Sequence, residues 1–270
     1  MSSDRTQAFE GLTDAYRRFR PGYPRELLDR LREHVREGAR RRPEPWLLLD
    51  AGSGTGISTR TLRHLFGAGP RVVGVEPGRD MIGTARAADE GVEYVAGRAE
   101  HLPFADASAS LVLAAQAVHW FDRPAFYTEA VRVLAPGGTV AVLNNDRDHR
   151  ASAYLDAYEG LMEEHGDHYR RDYREFDTVA EMSALPGLEG ADPATATWER
   201  ELDTDQVLGA ALSSSKMAAV VRNLGEERTR EAITALVREH FPDGRVRIPY
   251  VTRLFTARRT DDRGPLAHHV

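Results

Sequence analysis

Between residues 46 and 143 the chain alternates two apolar patterns. Residues 46–50, Trp-Leu-Leu-Leu-Asp, form a short run with no polar break, ended by an acid and then glycines. A strand buried on both faces of a parallel sheet has that texture. Residues 57–66 continue with helical spacing, 71–76 read as a second strand, and 77–88 as a second helix. Residues 92–95 and 109–115 supply a third and a fourth strand. Residues 124–134 read as a helix closed by Pro136-Gly137-Gly138, and 139–143 as a fifth strand. Strands alternating with helices of this length predict right-handed βαβ units and a Rossmann-like, doubly wound α/β sheet.

The flanks are less regular. Residues 24–38 predict a helix with Leu27, Leu28, Leu31 and Val35 on one face, Pro24 at its start and Gly38 at its end. Residues 150–193 are helical and polar, with aromatics at Tyr154, Tyr158, Tyr169, Tyr173 and Phe176, and read as an insertion over the sheet's C-terminal edge. Residues 195–202 predict a sixth strand, 204–212 and 226–241 two helices, and 245–257 a last strand. In that strand Val246, Ile248, Tyr250 and Leu254 share a face. Pro249 cannot donate to a ladder, so it belongs near the strand's start. The predicted organisation is an N-terminal helix and lid over 1–40, a core over 41–149 and 194–260, a substrate-side insertion over 150–193, and a loose tail over 261–270.

Composition narrows the class. The net charge of −6 and a pI near 6.0 argue against a nucleic-acid partner, which would want a basic face. Lys216 is the only lysine, so nearly all positive charge is arginine. The absence of cysteine excludes disulfides, thiolate metal sites and a thiol nucleophile. No apolar leader is visible, and the longest apolar run, 111–118, is too short to span a bilayer. A cytoplasmic monomer or homodimer with no membrane partner is expected.

The sharpest chemical signal is Asp50-Ala51-Gly52-Ser53-Gly54-Thr55-Gly56, between a strand and a helix. Glycines there let a ligand approach the backbone, with the helix's first amides facing it. A dinucleotide fingerprint needs glycine at positions one, three and six. Counted from Gly52 the sixth residue is Ile57, and from Gly54 it is Thr59; both counts fail. The glycine-x-glycine-x-glycine spacing after an acid instead resembles the first motif of class I S-adenosylmethionine-dependent methyltransferases. The resemblance recurs in order along the chain. Glu76 ends the second strand, where the family's acid accepts both ribose hydroxyls, and Pro77 and Met81 follow, Met81 as an apolar cover for the adenine. Gly97-Arg98-Ala99-Glu100-His101-Leu102-Pro103-Phe104 resembles the motif whose acid receives the adenine amino group. Ala135-Pro136-Gly137-Gly138 resembles the family's turn into its fifth strand. Taken singly, Glu76 also reads as a helix N-terminal acid and Glu100 as a solvated loop charge.

Two further segments resemble the branch of small-molecule enzymes that includes type 11 and trans-aconitate methyltransferase-like proteins. They are residues 16–24, Tyr-Arg-Arg-Phe-Arg-Pro-Gly-Tyr-Pro, and 116–122, Gln-Ala-Val-His-Trp-Phe-Asp. The resemblance implies a seven-stranded sheet that binds S-adenosylmethionine and releases S-adenosylhomocysteine. It places Tyr16, Arg20, Asp50, Gly52, Ser53, Gly54, Thr55, Glu76, Pro77, Met81, Ala99, Glu100 and Gln116 around the cofactor, and Tyr23 and Trp120 toward a small-molecule acceptor. Arg20 also reads as an exposed ion pair. His119 follows the fourth strand and reads either as a general base or as a histidine that shapes the pocket. Asn144-Asn145-Asp146 and His165-Gly166-Asp167-His168 carry metal-ligand residue types but read as solvated surface groups, so no metal is expected. A nicotinamide-dependent oxidoreductase, and a pericyclase-like protein that binds the cofactor without methyl transfer, stand as the alternatives.

Overall fold

A computed structural model describes residues 21–40, 44–88 and 90–260. Its elements in chain order are helix α1 (Arg25–Gly38), strand β1 (Leu47–Ala51), α2 (Ile57–Phe66), β2 (Arg71–Glu76), α3 (Arg79–Arg86), β3 (Glu93–Ala96) and β4 (Ala109–Ala115). There follow α4 (Arg123–Val133), β5 (Leu134–Arg147), α5 (Ala153–His165), α6 (Thr178–Ser183), β6 (Leu188–Leu202), α7 (Thr204–Leu212), α8 (Ser215–Leu224), α9 (Glu226–His240) and β7 (Val246–Arg259), with short 3-10 turns at Val118–Trp120 and His149–Ala151. The strands form one seven-stranded sheet in the order β3-β2-β1-β4-β5-β7-β6. The first five pair in parallel. The chain lays β2 and β3 to one side of β1, then crosses to lay β4 and β5 on the other. That reversal opens a crevice at the carboxyl ends of β1 and β4, where open α/β sheets bind ligands.

The chain divides into two compact units. Among the described residues, one takes 24–144, 176–195 and 253–260 and the other takes 21–23, 145–175 and 196–252. The first is the parallel-sheet unit. Leu48, Leu49, Val72, Val73, Val75, Leu111 and Val112 are all buried, as uninterrupted apolar strands require. Leu27, Leu31 and Val35 are the buried stripe of α1, and Phe126, Tyr127, Ala130 and Val133 that of α4. The second unit has its own apolar cluster. Tyr154, Leu155, Tyr158 and Met162 of α5 meet Val207, Ala211, Met217, Val220, Ile233 and Val237 of α7, α8 and α9. No described helix is long and apolar enough to cross a membrane.

Three expectations about single elements need correction, and the residues of the predicted insertion over 150–193 divide between the two units. Residues 176–195 belong to the sheet unit, where Met182 and Leu188 enter the core, whereas 196–252, predicted as core, cluster with α5. The sixth strand starts at Leu188 rather than 195, because the stretch Glu189-Gly190 and Asp192-Pro193 hides its pattern. Residues 215–224 form a helix that the sequence pattern did not mark. The fifth strand begins at Leu134, directly after α4, so Pro136-Gly137-Gly138 is an irregularity inside β5. Leu134 pairs with Ala109, and the register then steps to Leu111↔Thr139. Gly137 sits in that step at φ +73, where a side chain would strike the Gly38 carbonyl. Pro249 lies fourth in β7, near its start as expected, and the predicted tail over 261–270 lies outside the described residues.

The loop that follows β3 is held by one arginine. Arg132 of α4 donates to the carbonyls of Leu102 and Phe104 at 3.0 Å and to the carboxylates of Glu129 and Asp106 at 2.6 Å. Glu129, mostly buried, in turn accepts from the Leu102 amide at 2.7 Å. The Arg132 guanidinium holds its carboxyl below the usual range. Arg132→Ala should destabilise the protein by about 3 kcal/mol, since it leaves a buried carboxylate without its partner. Arg132→Lys should recover under half of that, because an ammonium cannot span four acceptors. Urea denaturation measures both, and equal stability of the lysine variant and wild type would remove Arg132 from this role.

Candidate functional site

The candidate site lies wholly in the sheet unit, at the carboxyl ends of β1, β2 and β4. The register Ala51↔Val75 and Asp50↔Leu113 sets these ends level. The amides of Gly52 and Ser53 both donate to the Val75 carbonyl, at 2.8 and 3.1 Å, and the Gly56 amide closes back on the Ser53 carbonyl at 2.9 Å. These bonds fold the β1–α2 loop against β2 and bring Gly52, Gly54 and Gly56 to φ values of +69, +54 and +81.

The three glycines are needed for different reasons. A β-carbon on Gly52 would lie 2.8 Å from the Ala117 side chain and the Phe121 ring, and one on Gly56 2.7 Å from the Tyr94 ring. Protein atoms fill the space over both. Over Gly54 there is nothing within 4 Å. That glycine alone faces open space, and its neighbours carry polar atoms without partners. Ser53 Oγ, Thr55 Oγ1 and Asp50 Oδ1 are buried and unbonded among the described groups. Buried polar atoms normally have partners, so three orphans around one uncovered glycine mark a cradle for a polar ligand.

Two acids frame the cradle. Asp50, fully buried at the end of β1, accepts through Oδ2 from Ser58 Oγ at 2.7 Å and Thr59 Oγ1 at 2.6 Å. Burial pushes its carboxyl from the ordinary 3.8 to about 6, against the pull of those two hydrogen bonds. Glu76, at the end of β2, takes the Gly54 amide on Oε2 at 3.0 Å and the Gly78 amide on Oε1 at 2.9 Å. Burial raises its pKa and the two amides oppose the rise. Each oxygen keeps a lone pair, so the group is an acceptor pair of fixed direction. Helix α2 has Gly56 at its N-cap and so no side chain capping it, which leaves its first amides for a ligand.

The other predicted residues fall around this frame unevenly. Pro77 is exposed beside Glu76, and Met81 is buried in the first turn of α3. The Ala99 side chain turns into the core, leaving only its main chain toward a ligand. Glu100 accepts from the Asp122 amide at 3.0 Å and lies 3.4 Å from Arg98, so it ties the loop after β3 to the start of α4. Gln116 leaves β4 with φ +55, a left-handed backbone in a residue with a side chain, while its amide holds the Leu143 carbonyl. His119 and Trp120 occupy the half-buried 3-10 turn that follows, their rings 5.1 Å apart and tilted. Phe121 packs on the core. Tyr16 and Arg20 lie outside the described residues, and Tyr23, half-buried, belongs to the other unit.

One member was missed. Arg60 is buried on the inner face of α2, where its Nη1 donates to the Thr55 carbonyl at 2.9 Å and its Nε lies 3.4 Å from Glu90. It pins the far side of the loop. The sequence pattern gives no signal for it, because at helical spacing Arg60 lies off the face that Leu62 and Phe66 share. The candidate metal ligands are engaged elsewhere: Asn145 with Gly22 and Thr252, Asp146 with Arg174, and Asp167 with Arg222 and Asn223. Among the described residues no three acids or histidines gather to hold an ion.

Known proteins resemble this arrangement. Residues 49–142 match the family model described as a methyltransferase domain. A Dictyostelium discoideum protein assigned as a methyltransferase is 28% identical over 79% of this chain and 79% of its own length. An uncharacterised methyltransferase of Mycobacterium tuberculosis is 38% identical over 54% of this chain, a match spanning only 56% of that relative. Among solved structures, a protein of Anaeromyxobacter dehalogenans assigned as a type II methyltransferase superposes with a TM-score of 0.65 at 28% identity, over 89% of this chain and 98% of that one.

The raised Asp50 carboxyl makes stability depend on pH with a definite sign. Folding binds a proton there between the unfolded value of 3.8 and the folded value of about 6. Asp50 therefore costs nothing below that window, and its charging opposes folding increasingly through it and fully above it. Relative to Asp50→Asn, wild type should lose about 2–3 kcal/mol between roughly pH 4 and 7 and then stay level. Denaturant titrations across that range measure the gap, and a gap independent of pH would contradict the assignment.

Proposed function

We propose that this chain, which belongs to the class I S-adenosylmethionine-dependent methyltransferases, moves a methyl group from S-adenosylmethionine to oxygen, nitrogen or carbon of a small-molecule acceptor in the cytosol. The observation that carries the reading is the open face of Gly54 beside the Glu76 carboxylate, whose two oxygens are aimed by the Gly54 and Gly78 amides. A ribose presents two adjacent hydroxyls, and a carboxylate held in this way offers one acceptor to each. Asp50, Ser53 and Thr55 give orphaned polar atoms to the charged amino-acid end, and an ammonium there would favour the ionised form of Asp50. Met81 supplies an apolar cover for the base, and the main chain at Ala99 and Glu100 its polar edge. We assign Tyr16 and Arg20 to the cofactor as well, and Tyr23 to the acceptor.

When bound, the cofactor supplies an electrophilic methyl on a sulfonium. The chain's task is then alignment: a nucleophile held within about 3–3.5 Å of the methyl, in line, loses much of the entropic barrier. Gln116, His119 and Trp120 stand at the end of β4, at the switch point of the sheet. The strained Gln116 backbone fixes where that turn projects. His119 takes a proton from an acceptor hydroxyl or amine, or hydrogen-bonds an acceptor that is already ionised. The net charge of −6 supports a small molecule over a polyanion as the acceptor.

S-adenosylhomocysteine should bind with micromolar affinity and NAD should not bind, as isothermal calorimetry will show. Gly54→Ala should stay folded, at a strain of about 1–2 kcal/mol for its left-handed backbone, yet lose S-adenosylhomocysteine because its methyl fills the open space. Retained affinity in the folded variant would place the ligand elsewhere. For His119, the discriminating variant is Asn, assayed once an acceptor is found by screening for S-adenosylhomocysteine release. A base gives a fall in kcat of ~10²–10⁴ and loss of the acid limb of the pH profile. A pocket role gives a higher acceptor KM with kcat kept, and unchanged kinetics would remove His119 from the site.

A further inference from the structure

We infer that Arg60 is a positioning residue for the amino-acid end of the cofactor: by clamping the Thr55–Gly56 peptide it sets where Thr55 and the first amides of α2 point. The inference rests on the function proposed above, which gives that end to Asp50, Ser53 and Thr55. Its support is the geometry of one peptide. The Gly56 amide donates to the Ser53 carbonyl at 2.9 Å, and the Thr55 carbonyl of the same peptide accepts from Arg60 Nη1 at 2.9 Å. In a trans peptide the N–H and the C=O point in opposite directions, so the plane is held from both sides. Ser53 holds one side from within the loop, and Arg60 holds the other from α2.

The guanidinium is built into this place. Arg60 is 7% exposed, so its charge bears a desolvation cost that a surface arginine escapes. Its ionic partner among the described residues, Glu90, lies 3.4 Å from Nε and has a side chain 35% exposed, so that pair offsets little of the burial. The third glycine of the loop makes room for the arginine. A β-carbon on Gly56 would come within 2.8 Å of Arg60 Nη1 and 2.7 Å of the Tyr94 ring. Gly54 thus leaves space for a ligand above the loop, and Gly56 leaves space for its support below. The remaining ties of the loop are separate from this one. The Gly52 and Ser53 amides go to Val75, and the Gly54 and Gly78 amides aim the Glu76 carboxylate that is proposed for the ribose. The clamped peptide carries Thr55 on one side and Gly56, the N-cap of α2, on the other. Its tilt therefore moves the orphaned Thr55 Oγ1 and the uncapped amides together, and leaves Glu76 where it is. A peptide fixed before the ligand arrives need not be ordered on binding.

Arg60→Met, which keeps an apolar stem and removes the donors, tests this with two ligands. S-adenosylhomocysteine carries the amino-acid end, and 5′-methylthioadenosine has the same base, ribose and sulfur without it. The variant's dissociation constant for S-adenosylhomocysteine should rise about five- to tenfold, a part of what one hydrogen bond from a charged donor contributes. That for 5′-methylthioadenosine should stay within about twofold of wild type. Equal weakening of both ligands marks a general loss of structure and overturns the inference, as does wild-type affinity for S-adenosylhomocysteine. Should that variant not fold, Arg60→Lys decides. Its ammonium keeps the charge on a shorter stem without the fork, so S-adenosylhomocysteine should weaken by about twofold or more with 5′-methylthioadenosine unmoved. Wild-type affinity, or equal weakening of both, again overturns the inference. Hydrogen exchange reads the clamp without any ligand. In the folded variant the Gly56 amide should exchange faster than in wild type, while the Ser53 amide, bonded to Val75, keeps its rate. Unchanged exchange at Gly56 overturns the clamp itself. A wild-type protein that binds neither ligand overturns the proposed function instead.

Discussion

The site depends on the stitching of the β1–α2 loop onto the end of β2. Two consecutive amides, Gly52 and Ser53, converge on one carbonyl of Val75, and the next glycine's amide reaches the Glu76 carboxylate. A chain can make those bonds in so few residues only by passing through positive φ repeatedly. Once it does, the start of α2, the direction of Glu76 and the burial of Asp50 follow together. Asp50 then accepts from Ser58 and Thr59 on one oxygen and keeps the other without a partner among the described groups. Arg60 must reach back to Thr55 because no other donor covers that carbonyl among the described bonds.

This also explains what the sequence makes legible. Strands buried on both faces leave uninterrupted apolar runs, so β1, β2 and β4 can be read almost to the residue, and the glycine spacing marks the loop between β1 and α2. Gly54, Glu76 and the 116–120 turn are legible for the same reason: they sit where a periodic pattern stops. The edges of the sheet are not legible in this way. The first half of β6, with Glu189, Gly190 and Pro193, is polar and half-exposed, and β5 begins inside a proline-glycine-glycine stretch that reads as a turn. Arg60 and Arg132 escape notice because an arginine that serves carbonyls has no periodic signature. The unit made by α5, α7, α8 and α9 is hidden because long stretches of chain separate α5 from its partners, and Asn145 meets Thr252 across 107 positions.

The two units use buried polarity differently. Near β1 the Asp50 Oδ1, Ser53 Oγ and Thr55 Oγ1 atoms are left without partners among the described groups, and burial pushes the Asp50 carboxyl up to about 6. In the second unit Trp198 Nε1 donates to Thr252 Oγ1, which bonds Asn145 Oδ1, whose Nδ2 reaches the Gly22 carbonyl, and Glu159 is satisfied on both oxygens by Arg147 and Tyr169. Buried polar groups that lack partners cost free energy, and those that have them give a single conformation. Unsatisfied groups belong where a ligand completes them, and satisfied ones where a conformation must be kept.

That contrast bears on how, in the function proposed above, the glycine loop would bind a charged, flexible ligand without reorganising. A loop that had to reorganise would add its own ordering entropy to that of the ligand. Here the backbone is set in advance by Val75, Glu76 and Arg60, and only side-chain protons and lone pairs at Asp50, Ser53 and Thr55 await partners. Rotating a hydroxyl or moving one proton costs far less than ordering a turn. The destabilisation stored at Asp50 is therefore the form of preorganisation that binding can recover. Under the proposed function, removing it would make the apo protein more stable and the ligand weaker, so the desolvated carboxyl belongs with the proposed site rather than with the core.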